Sequence, residues 1–177
     1  EATHAVHLAV GLMAAERMDW LVEKATELGV ASLTPVLTAR SNVRLDDART
    51  DRKRARWQAL AAAACEQCGR NRLPVIHPVV TLADFLGRAD GGVRGLLTLA
   101  ADADGLHNAI RTLPEAHPVT LLSGPEGGLD PQEEAAARQA GLLPITLGTR
   151  VLRAETAPLA ALAVLLCSGG SRFASKK

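Results

Sequence analysis

The residues most suited to chemistry lie in a Gly-Pro-Glu-Gly-Gly segment. Gly124–Gly128 follows the apolar run Val119–Ser123 and precedes Asp130, which begins a predicted helix. Glycines after a buried strand let a ligand approach the backbone. The segment lacks the Lys-Ser/Thr ending of a phosphate-binding loop, and Glu126 would repel a phosphate. It therefore favours a cationic or zwitterionic ligand, although glycines are also common in turns that bind nothing.

A second segment of this kind runs from Leu147 to Ala157. Gly148 again leaves the backbone accessible, and Arg150 and Arg153 lie three residues apart with Glu155 close behind. An Arg and backbone N–H groups near a helix start are suited to a carboxylate-bearing ligand. The alternative is a capped helix with a local Arg–Glu ion pair at the surface.

The elements that must position these segments alternate between short apolar runs and longer helical patterns. This order predicts an α/β domain with a mostly parallel sheet flanked by helices. The stretch Asp102–Pro118 is compatible with helix or loop. The predicted strands are Val6–Gly11, Leu33–Thr38, the interrupted Leu73–Val80, Gly95–Leu99, Val119–Ser123 and Pro144–Leu147, and the predicted helices are Arg17–Leu28, about Arg49–Cys68, a short helix from Thr81, one from Asp130, and Arg153–Cys167.

Composition excludes several classes of function. The chain of 177 residues has no Tyr, two Phe and two Trp, which disfavours recognition of nucleic acid by stacking, and its net charge of +1 requires any basic surface to be local. Three cysteines make no disulfide framework. With no secretory signal and no apolar run of about 20 residues, we expect a soluble cytoplasmic protein that binds no membrane.

Ser123–Leu129 and Leu147–Ala157 together resemble the signature of the SPOUT methyltransferases, specifically the RsmE family (ribosomal RNA small subunit methyltransferase E). Glu23–Val30 and Ala64–Asn71 agree with that family in the same order, so the resemblance covers essentially the whole chain. It implies that residues 1–177 form a SPOUT domain with a C-terminal trefoil knot, without the family's N-terminal RNA-binding β-barrel. It also implies a homodimer, with the almost wholly apolar last helix as an interface.

The resemblance further implies that the two segments hold S-adenosylmethionine (SAM). Two departures from the family stand out: Ala14-Ala15 in place of the usual Lys-Gly, and Ala154 in place of Thr. The expected cofactor-binding residues are Leu122, Ser123, Gly124, Pro125, Glu126, Gly127, Gly128, Leu147, Gly148, Arg150, Val151, Leu152, Arg153, Thr156 and Ala157.

The implied reaction is methylation of N3 of a uridine in 16S ribosomal RNA of the small subunit, the m3U1498 modification. Because N3 must lose a proton, the reaction needs a base. Of the two glutamates in the segments, Glu155 is preferred over Glu126 for this role. Arg153 stabilises charge on the uracil oxygens or binds the cofactor carboxylate. Alternatives are a SPOUT enzyme acting on another RNA position or a ribose 2′-hydroxyl, and an RNA-binding domain that holds the cofactor without turnover.

Five arginines are candidates for RNA contact. Those of the segment 49–56 lie three and four residues apart, which suits a phosphate track, although on the residues alone a solvated helix face is the favoured interpretation. The Cys65-x-x-Cys68 pair lacks two further ligands at a metal spacing, so we expect no metal. The candidates are Arg40, Arg52, Arg56, Arg70 and Arg72.

Overall fold

A computed structural model describes residues 5–41, 47–88, 91–111 and 117–167. The strands are β1 (Val6–Gly11), β2 (Ser32–Leu37), β3 (Val75–Ile76), β4 (Val80–Thr81), β5 (Val93–Leu97), β6 (Asp104–Gly105), β7 (Val119–Ser123) and β8 (Leu143–Thr146). The helices are α1 (Ala15–Glu27), α2 (Asp47–Cys68), α3 (Leu82–Leu86), α4 (Leu106–Arg111), α5 (Pro131–Gln139) and α6 (Thr156–Cys167).

The described strands form one sheet in the order β3-β2-β1-β7-β5-β8-β6, with β4 also paired to β2. Every described strand pair is parallel. The predicted α/β class with a mostly parallel sheet is therefore confirmed. None of the helices in this part of the chain has both the length and the apolar character that a bilayer crossing requires.

Successive residues of the central strands pack into two cores, one on each face of the sheet. In β7, Leu121 belongs to the larger core with α1, α2 and α6, while Leu122 belongs to the smaller core with α3 and α5. Leu8 and Ala9 of β1 divide in the same way. Side chains of a strand alternate between faces, so burial of both faces explains why these strands read as continuous apolar runs.

The predicted N-terminal caps of two helices are present in the structure. Asp130 accepts a hydrogen bond from the Glu133 backbone N–H and Glu133 accepts one from Asp130, which is a complete capping box with Pro131 at the first position. Thr81 caps α3 by accepting from the Asp84 N–H. The end of α1 is also as expected, with Gly29 following it at φ +100°.

Some predicted boundaries were wrong. The strand expected at Gly95–Leu99 runs from Val93 to Leu97; the Thr98 N–H still bonds to the Ile145 carbonyl, and the Ala100 N–H bonds to the Thr98 hydroxyl instead. The last helix begins at Thr156 instead of Arg153, whose carbonyl accepts hydrogen bonds from the first two helical N–H groups. The undecided stretch from Asp102 contains both a short strand and a helix.

Candidate active site

Three loops meet at one edge of the sheet, where β5, β7 and β8 end. These strands are neighbours, β5 lying between the other two, so their carboxyl ends lie side by side although their loops are distant in sequence. We call the loops after β5, β7 and β8 the 98, 124 and 147 loops. They enclose a cavity of about 460 Å³. Such an edge is the usual ligand site of an open α/β sheet.

The 124 loop is fixed by close backbone contacts. A Cβ on Gly124 would lie 2.7 Å from the Leu129 nitrogen, and one on Gly11 would lie 2.5 Å from the Pro125 nitrogen. Gly128 has φ +69° and donates its N–H to the Pro125 carbonyl. Glycine is therefore required by close approach at two positions and by the turn at a third.

Arg17 of α1 lies between acids of two loops. One nitrogen of its guanidinium is 3.7 Å from a carboxylate oxygen of Glu126 and 3.7 Å from one of Glu155. Glu126 also accepts a hydrogen bond from the Ala14 backbone N–H at 3.0 Å. Glu155 is only 8% exposed, and its Oε2 has no hydrogen-bond partner. Through these two ion pairs, Arg17 connects α1 to both segments singled out in the sequence.

Glu134 and Thr98 form a further polar wall that the sequence did not reveal. Both line the cavity, and the Thr98 hydroxyl donates a hydrogen bond to the Glu134 carboxylate. Arg138 lies 3.8 Å from Glu134 and donates two hydrogen bonds to Asp102, at 2.8 and 3.0 Å. Those hydrogen bonds lower the pKa of Asp102 below its ordinary value of 3.8.

Most of the expected cofactor-binding residues do line the cavity. Four do not: Leu122 is fully buried in the smaller core, and Gly148, Arg153 and Thr156 lie outside the lining. Ala154, one of the two departures from the resembled family, also lines it. The expected residues found in the lining are Ser123, Gly124, Pro125, Glu126, Gly127, Gly128, Leu147, Arg150, Val151, Leu152 and Ala157.

The three candidate catalytic residues are placed differently. Glu126 lines the cavity, whereas Glu155 faces Arg17 and does not belong to the lining. Arg153 is exposed beside the start of α6. Of the two candidate acids, Glu126 is therefore the one that lines the cavity.

The candidate RNA-binding arginines are dispersed over the domain. Arg40 donates to the carbonyls of Gly127 and Leu129 in the 124 loop, at 2.5 and 3.3 Å. Arg56 donates two hydrogen bonds to one carboxylate oxygen of Asp19, and Arg70 donates to the carbonyls of Thr26 and Val30 at the end of α1. Arg52 and Arg72 are exposed.

The lining combines apolar walls with a few charged groups. Leu96, Leu97, Leu129, Ile145 and Leu147 supply an apolar interior suited to an aromatic ring. Glu126, Glu134 and Arg150 supply charge of both signs, as a zwitterionic ligand requires. Among the described residues, no group of three His, Cys, Asp or Glu side chains is placed to hold a metal ion. Cys65 instead donates its thiol to the Arg72 carbonyl.

Comparison with known proteins identifies this arrangement. Residues 1–166 match the family described as RNA methyltransferase domain. Ribosomal RNA small subunit methyltransferase E of Bacillus subtilis (strain 168) is 32% identical over 165 residues, which cover 90% of this chain and 64% of that protein.

Two solved structures are similar over nearly the whole chain. One is a Legionella pneumophila protein described as a methyltransferase in complex with the bound cofactor SAM, with 37% identity and a TM-score of 0.88 over 96% of this chain and 68% of that one. The other is ribosomal RNA small subunit methyltransferase E of Neisseria gonorrhoeae bound to SAM, with 34% identity and a TM-score of 0.83 over 93% and 66%. The resemblance predicted from the two segments is confirmed, and the chain belongs to the family of RNA methyltransferase domains.

Proposed function

We propose that this domain binds SAM in the cavity between the 98, 124 and 147 loops and transfers its methyl group to N3 of a uridine in 16S ribosomal RNA, the m3U1498 modification. The observation that carries the proposal is that both segments singled out in the sequence line one cavity of mixed charge. Relatives solved with SAM and named as small-subunit enzymes support it. Since the chain spans 64% of the Bacillus subtilis relative, the RNA target belongs to this proposal.

In the proposed reaction the N3 lone pair forms a bond to the methyl carbon as the C–S bond breaks. The sulfur keeps the electron pair of that bond and becomes a neutral thioether, and the N3 proton passes to a base. The chain holds the donor with the lining residues of the 124 and 147 loops. It orients the reacting atoms and excludes water with the apolar walls. Gly148, Arg153 and Thr156 are proposed to reach the ligand only from the rim.

The base is proposed from the two acids of the loops. Glu126 is supported by its position in the cavity lining, and Glu155 by its burial with an oxygen that no hydrogen bond satisfies. Arg153 is proposed to stabilise negative charge on the uracil oxygens. Glu126→Gln and Glu155→Gln separate the two acids. The base variant loses turnover by more than any change in its SAM affinity explains, and unchanged turnover in either variant removes that acid from the role.

The RNA contact, the assembly and the topology are proposed with the function. Arg52 and Arg72 are proposed to contact phosphates because they are exposed, and Arg40, Arg56 and Arg70 are proposed to act beside the contacts described above. The exposed Val164 on the apolar helix α6 supports a homodimer through that helix. The insertion of β8 between β5 and β6 supports the C-terminal trefoil knot. An enzyme of 16S ribosomal RNA acts in the cytoplasm.

Two measurements test the function. Calorimetric titration with SAM should give a saturable heat, and its absence at millimolar ligand would refute the cofactor assignment. Nucleoside digests of small-subunit ribosomal RNA should contain 3-methyluridine only in cells that carry the gene. Persistence of that nucleoside after deletion would refute the substrate assignment while leaving SAM binding intact.

A further inference from the structure

Two clusters of charged residues flank the cavity, and each contains one arginine between two carboxylates. Arg17 lies 3.7 Å from both Glu126 and Glu155. On the other side, Arg138 lies 2.8 Å from Asp102 and 3.8 Å from Glu134. One positive charge faces two negative charges in each cluster. Each cluster of these described residues therefore retains a net charge of −1.

The member of each cluster that lines the cavity is an acid. Glu126 and Glu134 contribute to the lining, while Arg17 and Arg138 lie behind them. Within the described chain the lining also contains the cation Arg150, which is exposed. Two acids against one solvent-exposed cation leave an excess of negative charge at the ligand. A ligand with a net positive charge compensates this excess and a neutral ligand does not.

The proposed reaction changes the ligand's charge by one unit. At neutral pH the donor carries an ammonium, a carboxylate and a sulfonium, for a net charge of +1. Transfer of the methyl group leaves a thioether, and the product is a neutral zwitterion. On the basis of the proposed function, we infer that Glu134, together with Glu126, makes the cavity discriminate between the sulfonium donor and the thioether product.

Glu134 is the more informative of the two acids. Glu126 is also a candidate base, whereas Glu134 is not. Glu134 lies in the first turn of α5, and its carboxylate accepts a hydrogen bond from the Thr98 hydroxyl. Its side chain is about two-thirds buried, so solvent screens its charge only in part. The charge of Glu134 therefore strengthens binding of the charged donor and favours release of the neutral product after transfer.

The test is calorimetric titration of three ligands: SAM, S-adenosylhomocysteine, and a donor analogue that carries an ammonium in place of the sulfonium. The wild-type chain is expected to bind the two cationic ligands more tightly than the thioether. Glu134→Gln is expected to weaken both cationic ligands about fivefold and to leave the thioether unchanged within about twofold. The matched control Glu66→Gln removes the same charge from an exposed position on α2 outside the cavity, and should change none of the three.

The outcomes separate this inference from the proposed function. A wild-type chain that binds none of the three ligands refutes both. Equal wild-type affinities, or an equal loss of all three in Glu134→Gln, overturn the inference alone. If Glu134→Gln does not fold, the wild-type chain still decides. Its preference for SAM over the thioether should decrease as salt rises, and a preference independent of salt overturns the inference.

Discussion

The ion pair between Arg17 and Glu155 gives a quantitative prediction for Arg17→Met. Glu155 is 8% exposed, and removing one partner of a buried pair typically costs about 3–5 kcal/mol. Here the nearest N···O distance is 3.7 Å and the Arg17 side chain is 40% exposed, so water replaces part of the interaction. We therefore expect a loss of about 1–2 kcal/mol in the free energy of unfolding. For a domain of this size that corresponds to a decrease in Tm of roughly 2–8 °C.

The assay is urea denaturation followed by circular dichroism, with Arg56→Met as the matched control. Arg56 also pairs with a carboxylate of α1, that of Asp19, but its side chain is 67% exposed. A smaller loss of stability than that of Arg17→Met is expected for the control. The two variants remove the same charge, but Arg56 is more exposed than Arg17 and its partner Asp19 keeps a hydrogen bond from Trp57.

A double-mutant cycle decides whether the buried charge is responsible. In a Glu155→Gln background the charge of the buried acid is gone, so Arg17→Met should cost only the weaker pair with Glu126, at most about 1 kcal/mol. If Arg17→Met costs the same in both backgrounds, the reasoning is refuted, because the stabilisation by Arg17 then does not depend on the charge of Glu155.

Three further predictions follow from other contacts. Gly11→Ala should displace the 124 loop, because its Cβ would lie 2.5 Å from a backbone nitrogen, and should weaken SAM binding about tenfold or more in calorimetry. Gly105→Ala, where a Cβ meets no atom within 4 Å, should leave binding unchanged. Arg70→Met should destabilise the domain by roughly 1–3 kcal/mol in urea denaturation, because two carbonyls at the end of α1 lose a charged donor. The lowered pKa of Asp102 means that its contribution to stability is present above the pKa of the unfolded chain and is lost as pH falls through the folded value. NMR titration should therefore place its midpoint below 3.8, and Arg138→Met should raise that midpoint.

The parts of the fold that could be predicted depend on local chemistry. Asp130 with Pro131 and Glu133 begins α5 because the cap, the fixed φ and the returning carboxylate all lie within four residues. The strand Val119–Ser123 was predicted with its full bounds because both of its faces are buried. The two glycine segments were predicted to form a ligand site for a related reason, since each joins a strand end to a helix start, and residues of both line the cavity.

The parts that could not be predicted depend on the order of strands in space. Thr98 and Glu134 contact each other across 36 positions of sequence, and nothing local to either residue indicates a cavity. The contact between Arg17 and Glu126 could not be predicted for the same reason, because it depends on the pairing of β1 with β7. The signal that was present is that α1 begins just after β1, at the same edge of the sheet as the 124 loop.

The strand order also governs when the cavity can exist during synthesis. β6 follows β5 in the chain, yet β8 lies between them, so this part of the sheet stays incomplete until about 40 further residues have been made. Closing such long-range parallel pairs is slow, because the loop entropy is lost before the contacts form. Until then Glu126 faces a cavity that lacks the residues of the 147 loop. At the proposed site, the cofactor can bind only after the 147 loop has been synthesised. If the donor binds at the proposed site, SAM added during refolding should stabilise the step that forms the 147 loop while leaving the earlier steps unchanged.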